Sequence, residues 1–541
     1  MRRRFTTAGL VVALIVSVLM GTGGSASADS PGDRRDREQM AGVGTVAWGP
    51  CEPGSTLDQF GAECGMLSVP LDWSRPKGEK VQLALSRMKA DPSVPYQGIM
   101  LVNPGGPGGS GTVFAVLQAF VPDGAGMAYD WIGFDPRGVG ASVPAISCDA
   151  DYSAPVRPPY EPASLAIEKA WLTRTSTYAA DCARNNGPLL AHVTTVDNVK
   201  DMNAIRFALG QRQINFYGFS YGTYLGQVYA TLYPERVRRM VLDANVDPRR
   251  VWYDGNLDQD PAFEVVIDRM WDWVARHDDT YHLGATATEV EQAYYDALHG
   301  LAAEPEGMIG ASEWNDAFVI AGYLQVAWPD VAAAFAAWVN DGDIGPVTDL
   351  FLGNTDVADD NGYAMYLGTQ CSDARWPRDW KVWRRDNTRV AAEAPFITWN
   401  NAWFNAPCAF WPVRGGHPVE VKGKDAPPIL LLSETLDAAT PYSGTLEVRK
   451  RFPRASLIAT DGGTTHANSL AGNPCVDDPI AAYLADGTLP ARVKGKGLAD
   501  VVCPAAPEPD PNPAAATAAS GAARSLGVSS AELHRRLATL N

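Results

Sequence analysis

The feature that most constrains this chain is an apolar, aromatic run that ends in a Gly-x-Ser-x-Gly motif. Residues 214–219 predict a buried strand, Ser220 follows it at once, and the apolar pattern up to residue 232 predicts a helix. A serine on so tight a turn sits in strained backbone, so small residues must flank it, as Gly218 and Gly222 do. The first N–H groups of the helix would then point at the serine hydroxyl. The alternative is a plain Gly/Ser turn between a strand and a helix.

A nucleophilic serine needs a base, and the base needs a carboxylate that orients it. With this motif the chain order is serine, acid, histidine. Of the histidines that follow Ser220, only His466 comes directly after a final predicted strand, in a loop rich in glycine. The acid should follow the preceding strand, which predicts Asp437, with Glu434 as the alternative.

The negative oxygen formed on attack needs two backbone N–H groups already directed at it. One is expected from Tyr221, the residue after the nucleophile. The other is expected from Gly105 or Gly106, in the glycine-rich loop that follows the predicted strand at 98–103. A plain flexible loop is the alternative for residues 105–111. A P-loop is excluded because no Gly-Lys-Ser/Thr follows.

Strands and helices alternate over residues 41–246, which predicts a mostly parallel α/β sheet with helices on both faces. The strand signal disappears over 247–415, a region that holds 12 of the 16 tryptophans, and returns over 416–503. Residues 247–415 are therefore interpreted as a helical cap inserted into one core, the alternative being a separate middle domain. In either case the tryptophans could simply form that region's own core.

Both ends of the chain carry processing or linker signals. Residues 1–28 have the arginines, apolar run and Ala-Ser-Ala site of a secretory signal peptide, and residues 29–40 are predicted to be a disordered leader or propeptide. Residues 504–541 read as a Pro/Ala-rich linker followed by a helix at 529–539. The apolar run is too short to span a bilayer comfortably. We therefore expect a secreted, extracellular protein with no membrane anchor, exported by the Sec or the twin-arginine route.

Charge and cysteine content agree with export. Removal of three arginines with residues 1–28 changes the net charge from −17 to −20, which argues against nucleic acid or an anionic membrane as partner. An even number of cysteines on an exported chain predicts disulfides. Pairing of sequential neighbours would close loops of modest length. The expected pairs are Cys51–Cys64, Cys148–Cys182, Cys371–Cys408 and Cys475–Cys503.

With these residues placed, the chain resembles the prolyl-aminopeptidase-like serine peptidases of the α/β-hydrolase fold, and more closely the secreted bacterial tripeptidyl aminopeptidases. Three blocks carry the resemblance: residues 103–111 (NPGGPGGSG), residues 218–226 (GFSYGTYLG), and residues 436–441 (LDAATP) together with His466. Asn103-Pro104 stands where prolyl aminopeptidases usually carry a histidine. That departure favours the tripeptidyl branch over a strict proline specificity.

The resemblance implies release of short peptides, tripeptides first, from the free amino termini of peptides or proteins, by a monomer that needs no metal or cofactor. Such an exopeptidase needs a carboxylate to pair with the substrate ammonium, which is costly to desolvate alone. The candidate acids are Asp373, Asp247, Asp254, Glu264 and Glu434. A carboxylesterase or lipase with the same triad is the alternative enzyme, and a non-catalytic binding module is the alternative without catalysis.

Overall fold

The computed structural model describes residues 40–355, 357–495 and 497–511. Its centre is a ten-stranded sheet in the order β1-β2-β3-β5-β4-β6-β7-β8-β9-β10. The strands are β1 Gly49–Pro50, β2 Glu63–Pro70, β3 Lys80–Met88, β4 Ile99–Asn103, β5 Asp130–Phe134, β6 Ile214–Phe219, β7 Val237–Asp243, β8 Leu430–Glu434, β9 Ser456–Asp461 and β10 Val501–Pro504. Strands β1, β2, β3 and β5 pair antiparallel, and every pair from β5 through β4 to β10 is parallel.

The central strands are buried along their whole length. Every residue of β4, β6 and β8 is buried, which accounts for the continuous apolar runs that predicted them. The prediction of a mostly parallel α/β sheet is confirmed. Strand β10 was missed because only four residues form it and two prolines follow closely after it, too short a run to read as a strand.

Sixteen α-helices occur in the described residues. They are α1 Thr56–Gln59, α2 Leu165–Asn186, α3 Thr195–Ala208, α4 Tyr221–Leu232, α5 Tyr253–Arg276, α6 Asp278–Tyr281, α7 Ala287–Ala303, α8 Ala311–Tyr323, α9 Trp328–Asp341, α10 Gly345–Asn354, α11 Asn361–Asp373, α12 Trp380–Ala391, α13 Thr398–Asn405, α14 Pro407–Phe410, α15 Tyr442–Arg451 and α16 Pro474–Asp486. Short 3₁₀ helices occupy Thr112–Phe120, Pro122–Ala128, Gly187–Ala191, Pro234–Arg236 and Gln325–Ala327. Side-chain caps explain several starts, such as Ser164 on α2 and Thr194 on α3.

The connection between β7 and β8 consists of helices α5 to α14, one 3₁₀ turn and the loops that join them. We call this connection, residues 244–429, the insertion. Its aromatic residues are chiefly its own core, where Trp271, Trp314 and Trp328 pack together and are almost fully buried. The same cluster includes Ala438 and Ala439, from the loop after β8. The insertion thus packs directly on the loop that carries Asp437.

Four disulfides join the sequential cysteine neighbours, Cys51–Cys64, Cys148–Cys182, Cys371–Cys408 and Cys475–Cys503. The last of these ties α16 to β10. No helix among the described residues has the length and apolar character needed to cross a membrane. The predicted signal peptide, nearly all of the leader and the predicted helix at 529–539 lie outside the described residues.

Candidate active site

Ser220 stands on a sharp turn between β6 and α4. Its backbone lies at φ 51° and ψ −125°, a conformation that few residues other than glycine adopt. A Cβ atom on Gly218 would lie 2.6 Å from the carbonyl oxygen of Gly222, and one on Gly222 would lie 2.5 Å from that of Asn103. Only glycine fits at these two positions. The turn therefore presents the serine at the start of α4, where helix N–H groups favour negative charge.

The parallel register brings the ends of five strands to the same edge of the sheet. Asn103 of β4 pairs with Gly218 of β6, and Phe219 pairs with Asp243 of β7. Further along, Asp243 pairs with Leu432 of β8, and Glu434 pairs with Thr460 of β9. The loops after β6, β8 and β9 thus start from one edge, and these loops carry Ser220, Asp437 and His466.

His466 is paired with Asp437, and both side chains are almost fully buried. Nδ1 of His466 lies 2.9 Å from each carboxylate oxygen of Asp437. Because an ionised carboxylate only accepts hydrogen bonds, this contact places the ring proton on Nδ1 and the lone pair on Nε2. Nε2 is buried and makes no hydrogen bond within the described part of the chain. It has the chemistry of a general base.

Asp437 is itself held by its own loop. Its carboxylate accepts hydrogen bonds from the backbone N–H groups of Ala439 and Thr440, both at 3.0 Å, and from the Thr440 hydroxyl at 2.8 Å. These donors leave the Asp437 carboxylate one orientation, which faces the imidazole. The sequence Leu-Asp-Ala-Ala-Thr-Pro therefore builds a local turn around the acid.

The histidine loop is fastened to the nucleophile strand and to its neighbour. The backbone N–H of Ser469 donates to the Asp243 carboxylate at 2.9 Å, and the Tyr217 hydroxyl donates to the Ser469 hydroxyl at 2.7 Å. The backbone N–H of Ser220 donates to the Asp243 carbonyl oxygen at 3.1 Å. Asp243 thus contacts both the serine turn and the histidine loop.

The glycine loop after β4 packs against the same turn. A Cβ atom on Gly105 would lie 2.8 Å from the Phe219 carbonyl oxygen and 2.8 Å from the Ser220 Cβ. The Gly105 N–H donates to the Asn103 side chain at 3.1 Å, and Gly106 lines the cavity beside Ser220. Which of the two predicted loop donors, Gly105 or Gly106, faces an oxyanion stays a prediction.

Ser220 opens into a cavity of about 320 Å³ between the sheet edge and the insertion. The core contributes Gly106, Tyr221 and Thr440 to its wall. The insertion and the segment before α2 contribute mainly aromatic and amide side chains. These are Tyr152, Tyr160, Trp252, Asn256, Gln259, Phe263, Tyr323, Tyr363, Tyr366, Gln370, Asn400, Asn401, Trp403 and Phe404.

Four of the five predicted ammonium-binding acids do not line this cavity. Asp373 is buried and accepts from the Thr195 N–H at 2.8 Å, and burial raises its pKa to about 6. Glu264 accepts from the Phe396 N–H at 3.0 Å, and burial raises its pKa to about 7. Asp254 is exposed and pairs with Arg250. Glu434 is buried and accepts hydrogen bonds from Thr465 and Asn468 of the histidine loop.

The acids that do line the cavity are Asp247, Asp258, Asp316 and Asp359. Asp247 pairs with Arg249, which also contacts Glu447, and Asp258 pairs with Arg250, which also contacts Asp254. Asp359 is exposed and accepts a hydrogen bond from the Asn361 N–H at 2.9 Å.

Asp316 belongs to a buried charge cluster that the sequence analysis missed. Arg157 pairs with both Glu313 and Asp316, and Tyr160 donates to Asp316 at 2.9 Å. Two carboxylates share one guanidinium here, so the cluster holds one more acid than it has cations. Arg157 and Asp316 are 159 positions apart, so no local motif could have joined them.

Comparison with known proteins agrees with this geometry. A protein-family profile described as "TAP-like protein" matches residues 394–503. Tripeptidyl aminopeptidase of Streptomyces lividans is 38% identical over 533 residues, covering 93% of this chain and 97% of the relative. The chain belongs to the tripeptidyl aminopeptidase family. It is a serine hydrolase of the α/β-hydrolase fold, and its similarity to these peptidases makes it a peptidase.

Two further relatives are named for a protease activity and for an esterase activity. "Serine protease Hip1" of Mycobacterium tuberculosis is 32% identical over 479 residues, covering 82% of this chain and 89% of that protein. "Carboxylesterase B" of the same species is 31% identical over 484 residues, covering 84% and 91%. Peptidases and an esterase are thus both similar to this family member, so an ester has to be among the substrates tested.

Proposed function

We propose that this chain is a secreted serine exopeptidase that releases short peptides, tripeptides above all, from free amino termini through an acyl-enzyme. Ser220 attacks the scissile carbonyl, and Nε2 of His466 takes the serine proton and passes it to the leaving amine. Asp437 orients the imidazole and stabilises its positive charge. Water then hydrolyses the ester, with His466 as base again.

The oxyanion of each tetrahedral intermediate would be held by the backbone N–H groups of Tyr221 and Gly106. Tyr221 is the first residue of α4, so its N–H group is one of those left over at a helix start. Gly106 lies on the cavity wall beside Ser220. Donors fixed before the reaction need no reorganisation when the charge develops.

The observation that carries the exopeptidase proposal is a carboxylate on the cavity wall, Asp316, that shares its one guanidinium with a second acid. An ammonium group that enters a closed cavity loses its water and needs a negative partner. Asp316 supplies one, since Arg157 is shared with Glu313 and cannot neutralise both acids. Burial raises the pKa of Asp316 while Arg157 opposes that rise, so a bound ammonium would favour its ionised form.

The test compares Ala-Ala-Pro-p-nitroanilide with its N-acetylated form, with Pro-p-nitroanilide and with a short p-nitrophenyl ester. An enzyme that requires a free terminus cleaves the unblocked tripeptide amide far faster than the acetylated one. Mass spectrometry of the products from a longer peptide counts the residues released. Equal rates on blocked and free amides would reject the exopeptidase proposal, and turnover of the ester alone would favour the esterase.

Export is proposed on two grounds, the predicted signal peptide and the four disulfides, which form in oxidising compartments. The test is intact-mass analysis of the protein recovered from culture medium, where we expect an amino terminus at residue 29 or later. Retention of residues 1–28 on cell-bound protein would contradict secretion. A monomer remains our expectation, to be measured by sedimentation.

A further inference from the structure

Glu434 is a buried carboxylic acid that spans two loops of the candidate active site. It is the last residue of β8, three positions before Asp437. Its Oε2 accepts a hydrogen bond from the Thr465 N–H at 3.0 Å, and its Oε1 accepts one from the Asn468 side-chain amide at 2.7 Å. Thr465 and Asn468 lie on either side of His466. One carboxyl group therefore fastens the histidine loop at both ends.

The loop is shaped to receive this carboxyl group. A Cβ atom on Gly463 would lie 2.0 Å from Oε2 of Glu434, so the second glycine of Gly462-Gly463 leaves the space that the carboxyl occupies. Glu434 is 5% exposed and does not line the cavity. It is therefore placed to act on the reaction through the histidine loop and not by touching substrate.

The charged groups that act on Glu434 make its ionisation costly. Asp243, at the end of β7, and Asp437, in the loop after β8, are both negative. Burial is the largest cause that raises the pKa of Glu434 to about 8, while the Asn468 amide and the Thr465 N–H lower it. The carboxyl group thus changes charge close to neutral pH beside the groups that handle the serine proton.

We propose that Glu434 is a positioning residue that fixes the His466 loop and, once ionised, strengthens proton abstraction by His466. The inference rests on the proposed roles of Ser220 and His466. A positive imidazolium forms as the serine proton is taken, and a nearby negative charge in a buried site stabilises it. Ionisation also strengthens the two hydrogen bonds that hold the loop.

The consequence is a second rise in reactivity as the pH passes through about 8, beyond any pH dependence that belongs to His466 itself. Glu434→Gln keeps the shape of the side chain and removes its charge change. Its amide oxygen still accepts from Thr465, and its NH₂ group donates to Asn468 once that amide turns over. The variant should therefore fold and lack the second rise.

The experiment measures the rate at which a fluorophosphonate labels Ser220, by intact mass, from pH 6 to pH 10. This reagent reports the activated serine and is independent of peptide specificity. We expect the native rate to rise about threefold or more between pH 7 and pH 9, and that of E434Q to stay flat. Glu264→Gln is the matched control, a buried acid of raised pKa that does not line the cavity, and it should follow the native profile.

A second variant tests the same link if E434Q proves unstable. Asn468→Ala removes a hydrogen bond that lowers the pKa of Glu434, so the second rise should move to higher pH. A native-like profile in either E434Q or N468A would overturn the inference. Absence of serine labelling in the native enzyme would instead overturn the proposed function, so the two failures are distinguishable.

Discussion

The sheet edge and the insertion meet at one cavity but are built by different rules. At the edge, Ser220, Asp437 and His466 each follow a strand within seven residues, and short turns fix their positions. On the other side, the wall is assembled from side chains that are distant in sequence, Asp316 and Asn400 of the insertion and Arg157 of the segment before α2. This difference predicts that local geometry sets the chemistry and that long-range packing sets the choice of substrate. Changes at the edge should therefore affect every substrate, and changes in the insertion only some.

The largest expected effect comes from Ser220→Ala. Loss of the attacking hydroxyl should lower kcat by a factor of about 10⁴ or more on amide and ester substrates alike, because the acyl-enzyme cannot form. Alanine lacks only the hydroxyl, so substrate binding should persist, as measured by competition against native enzyme for a tripeptide ligand. Retained turnover on either substrate class would place the nucleophile elsewhere and break the assignment of chemistry to the sheet edge.

The next largest effect should follow from Gly105→Ala. The new methyl group would collide with the serine turn, and Gly105 lies at φ 111°, so the glycine loop has to shift. Displacing an oxyanion donor in this way should lower kcat about 10²-fold with every substrate and leave KM similar. Gly210→Ala is the matched control, since Gly210 also has a positive φ of 65° but a Cβ there meets nothing within 4 Å. Equal losses in both variants would mean that backbone strain, and not the oxyanion loop, is responsible.

Asp316→Asn tests the part of the cavity wall that the insertion supplies. Replacement of the Asp316 carboxyl group by an amide should raise KM for free-amine tripeptide amides by about 10- to 100-fold and leave turnover of a short ester unchanged. Asp258→Asn is its control, because Asp258 lines the same cavity but lies in an exposed ion pair with Arg250. A larger effect at Asp258 than at Asp316 would assign the ammonium contact to Asp258.

The same difference between the sheet edge and the insertion explains which features can be predicted from the sequence and which cannot. The strand positions and the Ser220, Asp437 and His466 assignments follow from local patterns, a short apolar run and then a turn with its own glycines or threonine. The ammonium-binding acids could not be assigned this way. Asp373 and Glu264 look available in the sequence, but the fold buries them against backbone N–H groups. The role proposed for Asp316 depends on the packing of α8 against Arg157, a contact that no periodicity encodes.

The smallest expected effect concerns the acids that the insertion buries, and Glu264 is the clearest case. Burial raises its pKa to about 7 from the model-compound value of 4.5. A group with a raised folded-state pKa contributes stability that is fully present below pH 4.5 and is lost as the pH rises through about 7. The native protein should therefore lose stability at Glu264 between about pH 5 and pH 8.

Glu264→Gln does not titrate, and its amide oxygen can still accept from the Phe396 N–H. The difference in Tm between E264Q and the native protein should therefore shift in favour of the variant by about 1–3 °C from pH 5 to pH 8. Differential scanning calorimetry at both pH values measures it, and the other titrating groups cancel in the difference. Because Glu264 does not line the cavity, kcat/KM should stay native-like at both pH values. A pH-independent Tm difference would mean that Glu264 is already ionised at pH 5, and a change in kcat/KM would mean that the insertion's core and the cavity wall are not separable.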